Sequence, residues 1–172
     1  GEWYLDPETQ KLTYIPLPGE TLEAAELTAP MVKQTLIRLQ GDSENGLYVE
    51  HIRFEDLQIR HTDAYLPKEL YDGRQAATVQ DAGILADAAR HCVIRGCEVA
   101  NMGEHGIWFR DDCHSNQVER CHVHDLGGGG IYIGEKWRWS NDTPGWPGYK
   151  SAEEIPHTTE HNVVDNCFIH DG

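Results

Sequence analysis

Two His-Asp pairs recur in the second half of the chain, His124-Asp125 and His170-Asp171. A carboxylate beside an imidazole can orient a general base or build a metal site. The same residue types also satisfy turn backbone at the ends of strands, and that plain role stands beside the chemical one. Asp111, Asp112 and Glu135 offer a second chemistry. Hydrolysis of a glycosidic bond needs two carboxyl groups about 5 to 9.5 Å apart, whereas acidic residues at exposed strand ends are commonly just solvated. Trp108 and Tyr132, followed by Trp137 and Trp139, supply flat apolar faces of the kind that pack on the C–H face of a sugar ring. Trp137 and Trp139 share their segment with Trp146 and Tyr149, so packing that loop onto its own scaffold is the competing role.

A repeat positions these residues. In Ile52-Arg53-Phe54-Glu55-Asp56-Leu57-Gln58-Ile59 the apolar side chains fall at relative positions 0, 2, 5 and 7. Cys92, Ile94, Cys97 and Val99 repeat the spacing, as do Asn116, Val118, Cys121 and Val123, and then Asn162, Val164, Cys167 and Ile169. Offsets 5 and 7 alternate as a strand does, and the three-residue step between offsets 2 and 5 absorbs a bend, which no helical period reproduces. Each copy therefore reads as strand, corner, strand. A further strand follows: Gly106-Ile107-Trp108-Phe109 and Gly130-Ile131-Tyr132-Ile133 stand at the same distance after Cys97 and Cys121, with Gly83-Ile84-Leu85-Ala86 as an earlier copy.

Val118 follows Ile94 by 24 residues, one coil of a parallel β-solenoid. Longer intervals elsewhere place loop insertions at about 62–82 and 136–160, a tolerance typical of repeat scaffolds. Stacked coils put equivalent residues one above another, so Leu57, Cys97, Cys121 and Cys167 should form one inward ladder and Ile59, Val99, Val123 and Ile169 the next. Arg60, Ala100, His124 and His170 then form an outer column, with His61, Asn101, Asp125 and Asp171 beside it at the corner. Trp108 and Tyr132, alternating with inward Ile107, Phe109, Ile131 and Ile133, should stack on the outside. Five cysteines cannot all pair, and stacked cysteines aim their side chains the same way, so they are expected to be buried and unbridged. Gly127-Gly128-Gly129-Gly130 is expected to supply positive φ between two strands. It lacks the Lys-Ser/Thr of a phosphate cradle.

Residues 1–48 read as a leading hairpin and a connection, and 49–172 as the coils. The chain carries 14 basic and 29 acidic side chains, a net charge of −15, which repels nucleic acid, anionic lipid and uncomplexed polyuronides. No apolar stretch approaches the roughly 20 residues of a membrane span. The last coil breaks off at His170-Asp171-Gly172, before its second strand, so a piece of a longer chain is expected, with the remaining coils as its partner.

Gly1-Glu2-Trp3-Tyr4-Leu5-Asp6, the Tyr-Ile-Pro-Leu-Pro-Gly-Glu stretch ending at Glu20, His124-Asp125-Leu126-Gly127-Gly128-Gly129-Gly130-Ile131 and His161-Asn162-Val163-Val164-Asp165-Asn166 followed by Ile169-His170-Asp171-Gly172 together resemble the bacterial right-handed β-helix proteins of the pectate-lyase-like superfamily, and within it glycoside hydrolase family 141. The resemblance implies an all-β, right-handed parallel β-helix in a secreted or periplasmic enzyme that cleaves fucosylated or xylan-type glycans. It places that family's proposed catalytic Asp residues on later coils, beyond Gly172, and no position here matches them. Glu135, Asp111 and Asp112 remain the catalytic candidates of this chain, and Trp108, Tyr132, His124, His170, Trp137 and Trp139 the substrate-binding ones. No cofactor or metal is assigned. Ca2+ would enter only under the alternative of a polysaccharide lyase on uronate polymers, and a non-catalytic glycan-binding β-helix is the third class.

Overall fold

The computed structural model describes residues 2–6, 8–32, 35–64, 80–134 and 159–172. Strands β1 (Glu2–Asp6) and β2 (Lys11–Ile15) pair antiparallel, Glu2 opposite Ile15 and Asp6 opposite Lys11, as the leading hairpin. The coils follow. The first holds β3 (Ile37–Gln40), β4 (Val49–Glu50), β5 (Arg53–Glu55) and β6 (Gln58–Arg60), and the second β7 (Ala82–Asp87), β8 (Ala89–Arg90), β9 (Val93–Arg95) and β10 (Glu98–Met102). The third holds β11 (His105–Phe109), β12 (Gln117–Glu119) and β13 (His122–Leu126), and the last β14 (Ile131–Ile133), β15 (Val163–Asp165) and β16 (Phe168–Ile169).

Every pairing between coils is parallel, giving the stacks β3-β7-β11-β14, β5-β9-β12-β15 and β6-β10-β13-β16. The short pair β4-β8 is continued by single bridges from Arg90 to His114 and from His114 to Glu160. The architecture is the right-handed parallel β-helix. Its register follows the repeat: Phe54, Ile94, Val118 and Val164 pair in line, as do Ile59, Val99, Val123 and Ile169. These columns, with Ile84, Ile107, Ala86 and Phe109 from the third stack, fill the lumen. In the last coil their members lie open, Val164 at 41% and Ile169 at 43%, whereas Ile59 in the first coil is buried.

Three columns of left-handed residues make the corners. His51, His91, Ser115 and His161 have φ of 53° to 58°, Asp56, Gly96, Arg120 and Asn166 of 49° to 61°, and His61, Asn101, Asp125 and Asp171 of 51° to 68°. The frequency of Asn, Asp and His at these positions reflects their tolerance of that conformation. The last column is the corner anticipated from the alignment of the copies.

All five cysteines are free thiols, as expected. Cys97, Cys121 and Cys167 each direct Sγ at a carbonyl of the preceding coil, Phe54, Ile94 and Val118, each at 3.5 Å. Burial pushes the Cys121 thiol up to about 11 and that of Cys113 to about 12.

The glycine run differs from expectation, because none of Gly127 to Gly130 has positive φ. Close approach is what demands glycine there. A Cβ on Gly127 would lie 2.1 Å from the Gly103 carbonyl oxygen, and one on Gly130 2.3 Å from Ile169 Cγ2. The Gly129 N–H donates to His105 Nδ1 at 2.8 Å. Gly172 continues the same close stacking from the coil above, since a Cβ on it would lie 2.8 Å from the Gly128 carbonyl oxygen. Of the two expected insertions, 65–79 and 135–158 lie outside the described residues, while Ala82 belongs to β7.

Candidate functional site

The outer side of the β3-β7-β11-β14 stack carries Leu85, Trp108 and Tyr132 in register. Alternation predicted that Trp108 and Tyr132 would stack there, and they do, with centroids 4.6 Å apart and planes 23° from parallel. Trp108 is nevertheless fully buried, and this corrects its assignment as an exposed sugar platform. It belongs to a second apolar cluster with Ala82 and Leu85, and its Nε1–H donates to the Gly134 carbonyl at 2.7 Å. The Arg110 guanidinium lies 5.6 Å from the Trp108 ring centre, and His105 meets the ring edge-on at 6.0 Å. Tyr132 is half-buried against that cluster, and burial raises its phenol pKa. Pointing away from the lumen thus does not mean meeting water.

Beyond the ends of β3, β7 and β11 a cleft of about 260 Å³ is lined by Asp42, Glu44, Asp87, Arg110 and Asp111, among others. Arg110 holds Asp87 through two hydrogen bonds, Nε at 2.6 Å and Nη2 at 2.5 Å. Asp42 caps a short 3-10 turn (Ser43–Asn45), accepting from the Asn45 N–H at 3.3 Å and from its side-chain amide at 2.7 Å. Glu44 is exposed and Asp111 partly so.

Asp112 does not line this cleft. It is buried, accepts from the Tyr48 hydroxyl at 2.7 Å and meets His114 Nε2 closely. Its carboxylate, buried, holds His114, which also stands 3.8 Å from Glu160. The guanidinium of Arg90 lies 4.2 Å over the Tyr48 ring. Glu135, Trp137 and Trp139 lie outside the described residues. Gly172 itself brings no functional side chain and serves the packing of the last coil on Gly128 and Leu126.

A different sheet, β6-β10-β13-β16, carries the histidines. His122 and His124 project from β13, and His170 follows β16. His124 Nδ1 stands 2.7 Å from Asp125 and its Nε2 3.1 Å from Glu98. His170 Nδ1 stands 2.8 Å from Asp171, and its Nε2 2.8 Å from Nε2 of His122. Arg60 binds Glu98 from the coil below, through Nε at 3.1 Å and through its terminal nitrogen. That bond to Arg60 holds the Glu98 carboxyl below its usual range against the opposing effect of burial, with His124 adding to it. The hydrogen bond to Asp125 raises the pKa of His124 despite burial, and Glu98 adds to the rise.

The sequence brought His124 and His170 to one face, as found, while Trp108 and Tyr132, grouped with them as substrate-binding candidates, belong to another sheet. It passed over Glu98 and Phe168. Both occupy the same repeat offset as His122, between two inward residues, so the alternation that aimed His122 outward also applied to them.

With this geometry in view, the chain is placed among proteins of known fold. The family model described as "Right handed beta helix region" matches residues 32–137, more than half of the chain, and the chain belongs to that family. A solved structure named "Glycoside hydrolase" superposes with a TM-score of 0.71 at 22% identity, covering 97% of this chain and 32% of that one. The likeness is one of fold, and this chain spans about a third of that protein. No curated protein matches the chain. Among the described residues no helix is long and apolar enough to cross a membrane.

Proposed function

We propose that this chain is part of a carbohydrate-active enzyme, a glycoside hydrolase of the kind grouped in family 141, exported by a bacterium and acting on neutral fucosylated or xylan-type glycans. The observation that carries the reading is the cleft in which Glu44 and Asp111 share a rim with Asp42, Asp87 and Arg110. Glycoside hydrolysis runs on two carboxyl groups flanking the bond. Glu44, exposed, and Asp111, partly so, are the two rim carboxylates proposed to act. The fold shared with a protein named glycoside hydrolase supports the reading, and the net charge of −15 favours a neutral substrate over a uronate.

The full-length protein should release reducing ends from fucosylated or xylan substrates, equally with and without EDTA. Glu44→Gln and Asp111→Asn should each lower kcat by a factor on the order of 100 or more while the protein stays folded. Absorbance from an unsaturated uronide on pectic substrates would establish a lyase instead. Cleavage unaffected by either substitution would move the catalytic centre off this cleft.

A further inference from the structure

We infer that His122, His124 and His170 form a binding site for a divalent transition-metal ion, on a face separate from the acidic cleft. One nitrogen from each ring lies within 4.8 Å of the others. Ligands on a tetrahedral ion, bonded at about 2.0 to 2.1 Å, stand roughly 3.3 Å apart, so small side-chain rotations complete the convergence. His122 and His170 have already brought their Nε2 atoms to 2.8 Å.

The hydrogen bonds behind the rings point to the same use. A carboxylate only accepts, so Asp125 and Asp171 require the proton on Nδ1 of His124 and His170. In the neutral ring that leaves the lone pair on Nε2, the tautomer of a histidine ligand whose outer nitrogen is held by an acid. Corner geometry builds this arrangement twice: Asp125 and Asp171, with φ of 53° and 51°, each turn back onto the imidazole that precedes them. Stacking then fixes the rings. His124 and His170 lie 5.2 Å apart and 7° from parallel, and Phe168 packs on His122 at 5.2 Å and on His170 at 4.5 Å.

The donor set selects the ion. Three imidazoles without a thiolate suit zinc, copper or nickel, whereas calcium and magnesium require oxygen ligands. A proton on His124 Nε2 makes the contact to Glu98 at 3.1 Å, and a bound ion would displace that proton. Glu98, anchored by Arg60, then stands beside the ion to accept from a bound water or to become its fourth ligand.

The test is zinc titration of the untagged full-length protein by calorimetry, repeated with cobalt to read its visible absorption bands. One equivalent should bind with release of protons, and cobalt should show the strong bands of a tetrahedral site. His122→Ala and His170→Ala should each weaken zinc binding at least tenfold, Asp171→Asn should weaken it on the order of tenfold, and His114→Ala should bind as the parent does. Melting curves confirm that each variant is folded, and Phe168→Leu, which removes the aromatic stack but no ligand, should still bind zinc. Absence of zinc binding in the parent would overturn the assignment, as would equal binding by the folded His122→Ala and His170→Ala variants. Glycan cleavage is read separately, through Glu44 and Asp111, so failure of either proposal leaves the other standing.

Discussion

The side-chain oxygen of Asn162 accepts two hydrogen bonds from Asn116, one from its backbone N–H at 3.0 Å and one from its amide at 2.9 Å. Asn116 repeats the bond downward, its own oxygen accepting from the Cys92 N–H at 3.0 Å, while its amide also donates to the Ala89 carbonyl at 2.9 Å. Asparagine thus replaces an apolar residue at the first repeat position because it satisfies backbone groups that the corner strips from the ladder.

Asn116→Ala should therefore destabilise the protein by about 2 to 4 kcal/mol, since it leaves the Cys92 N–H and the Ala89 carbonyl buried with one partner fewer. Asn162→Ala, at a more exposed corner, should cost about half as much. Denaturant unfolding measures both, and a neutral Asn116→Ala would show that water replaces the ladder.

The glycine run separates two kinds of approach. A Cβ at Gly127 meets backbone at 2.1 Å, which cannot move without displacing the coil below, whereas one at Gly129 finds its nearest atom, His105 Nδ1, at 3.4 Å. Gly127→Ala should cost roughly 2 to 3 kcal/mol or more and Gly129→Ala under about 1. Equal melting temperatures would count against the packing described for this corner.

How far the sequence can be read depends on whether the signal is local. The spacing of Phe54, Ile94, Val118 and Val164 encodes the register residue by residue, because a one-residue slip would turn every apolar side chain outward. The corner at Asp125 and Asp171 follows from the same count. Trp108 escapes it because alternation reports direction only, and whether an outward ring meets water depends on its neighbours from other coils, here Ala82, Leu85 and Tyr132. The bond from Tyr48 to Asp112 joins residues 64 apart, and the approach of Gly127 to Gly103 is a matter of tenths of an ångström. No periodicity encodes either. The Asn residues are visible as exceptions to the pattern, but their partners emerge only when the coils are stacked.

The buried thiols give stability a dependence on alkaline pH. Cys113 and Cys121 have folded pKa values raised by burial to about 12 and about 11, against about 8.5 in an unfolded chain. Their contribution is fully present below about pH 8.5, where both states hold the proton. Above it the unfolded chain loses protons that the folded one keeps, so the contribution falls as pH rises and is gone beyond the folded values. A Cys113→Ala, Cys121→Ala double variant should show a shallower fall in stability than the parent between about pH 9 and 11. In the native parent both thiols should also resist alkylation at about pH 8.5 until denaturant is added. Fast labelling of the folded protein at Cys113 or Cys121 would contradict their burial.

Trp108 and Tyr132 distinguish scaffold from surface within one stacked pair. Were both rings a sugar platform, truncating either would weaken binding by on the order of 1 kcal/mol and leave the fold intact. Full burial of Trp108 among Ala82, Leu85 and Tyr132, with its Nε1–H spent on the Gly134 carbonyl, reverses that expectation for the tryptophan. Trp108→Ala should cost about 3 to 5 kcal/mol of stability, the usual penalty for emptying a large aromatic site. Trp108→Phe keeps much of the stacking area but deletes the donor to Gly134, and should cost less, about 1 to 2 kcal/mol. Tyr132→Ala should fall between these, because only part of its ring is covered. Chemical denaturation of the three variants ranks them, and glycan affinity of those that fold adds the second axis. A folded Trp108→Ala protein of unchanged stability but weakened glycan binding would restore the tryptophan to the surface. The expected order, with Trp108→Ala most damaging and affinity following only the folded fraction, assigns the pair to the wall of the β-helix.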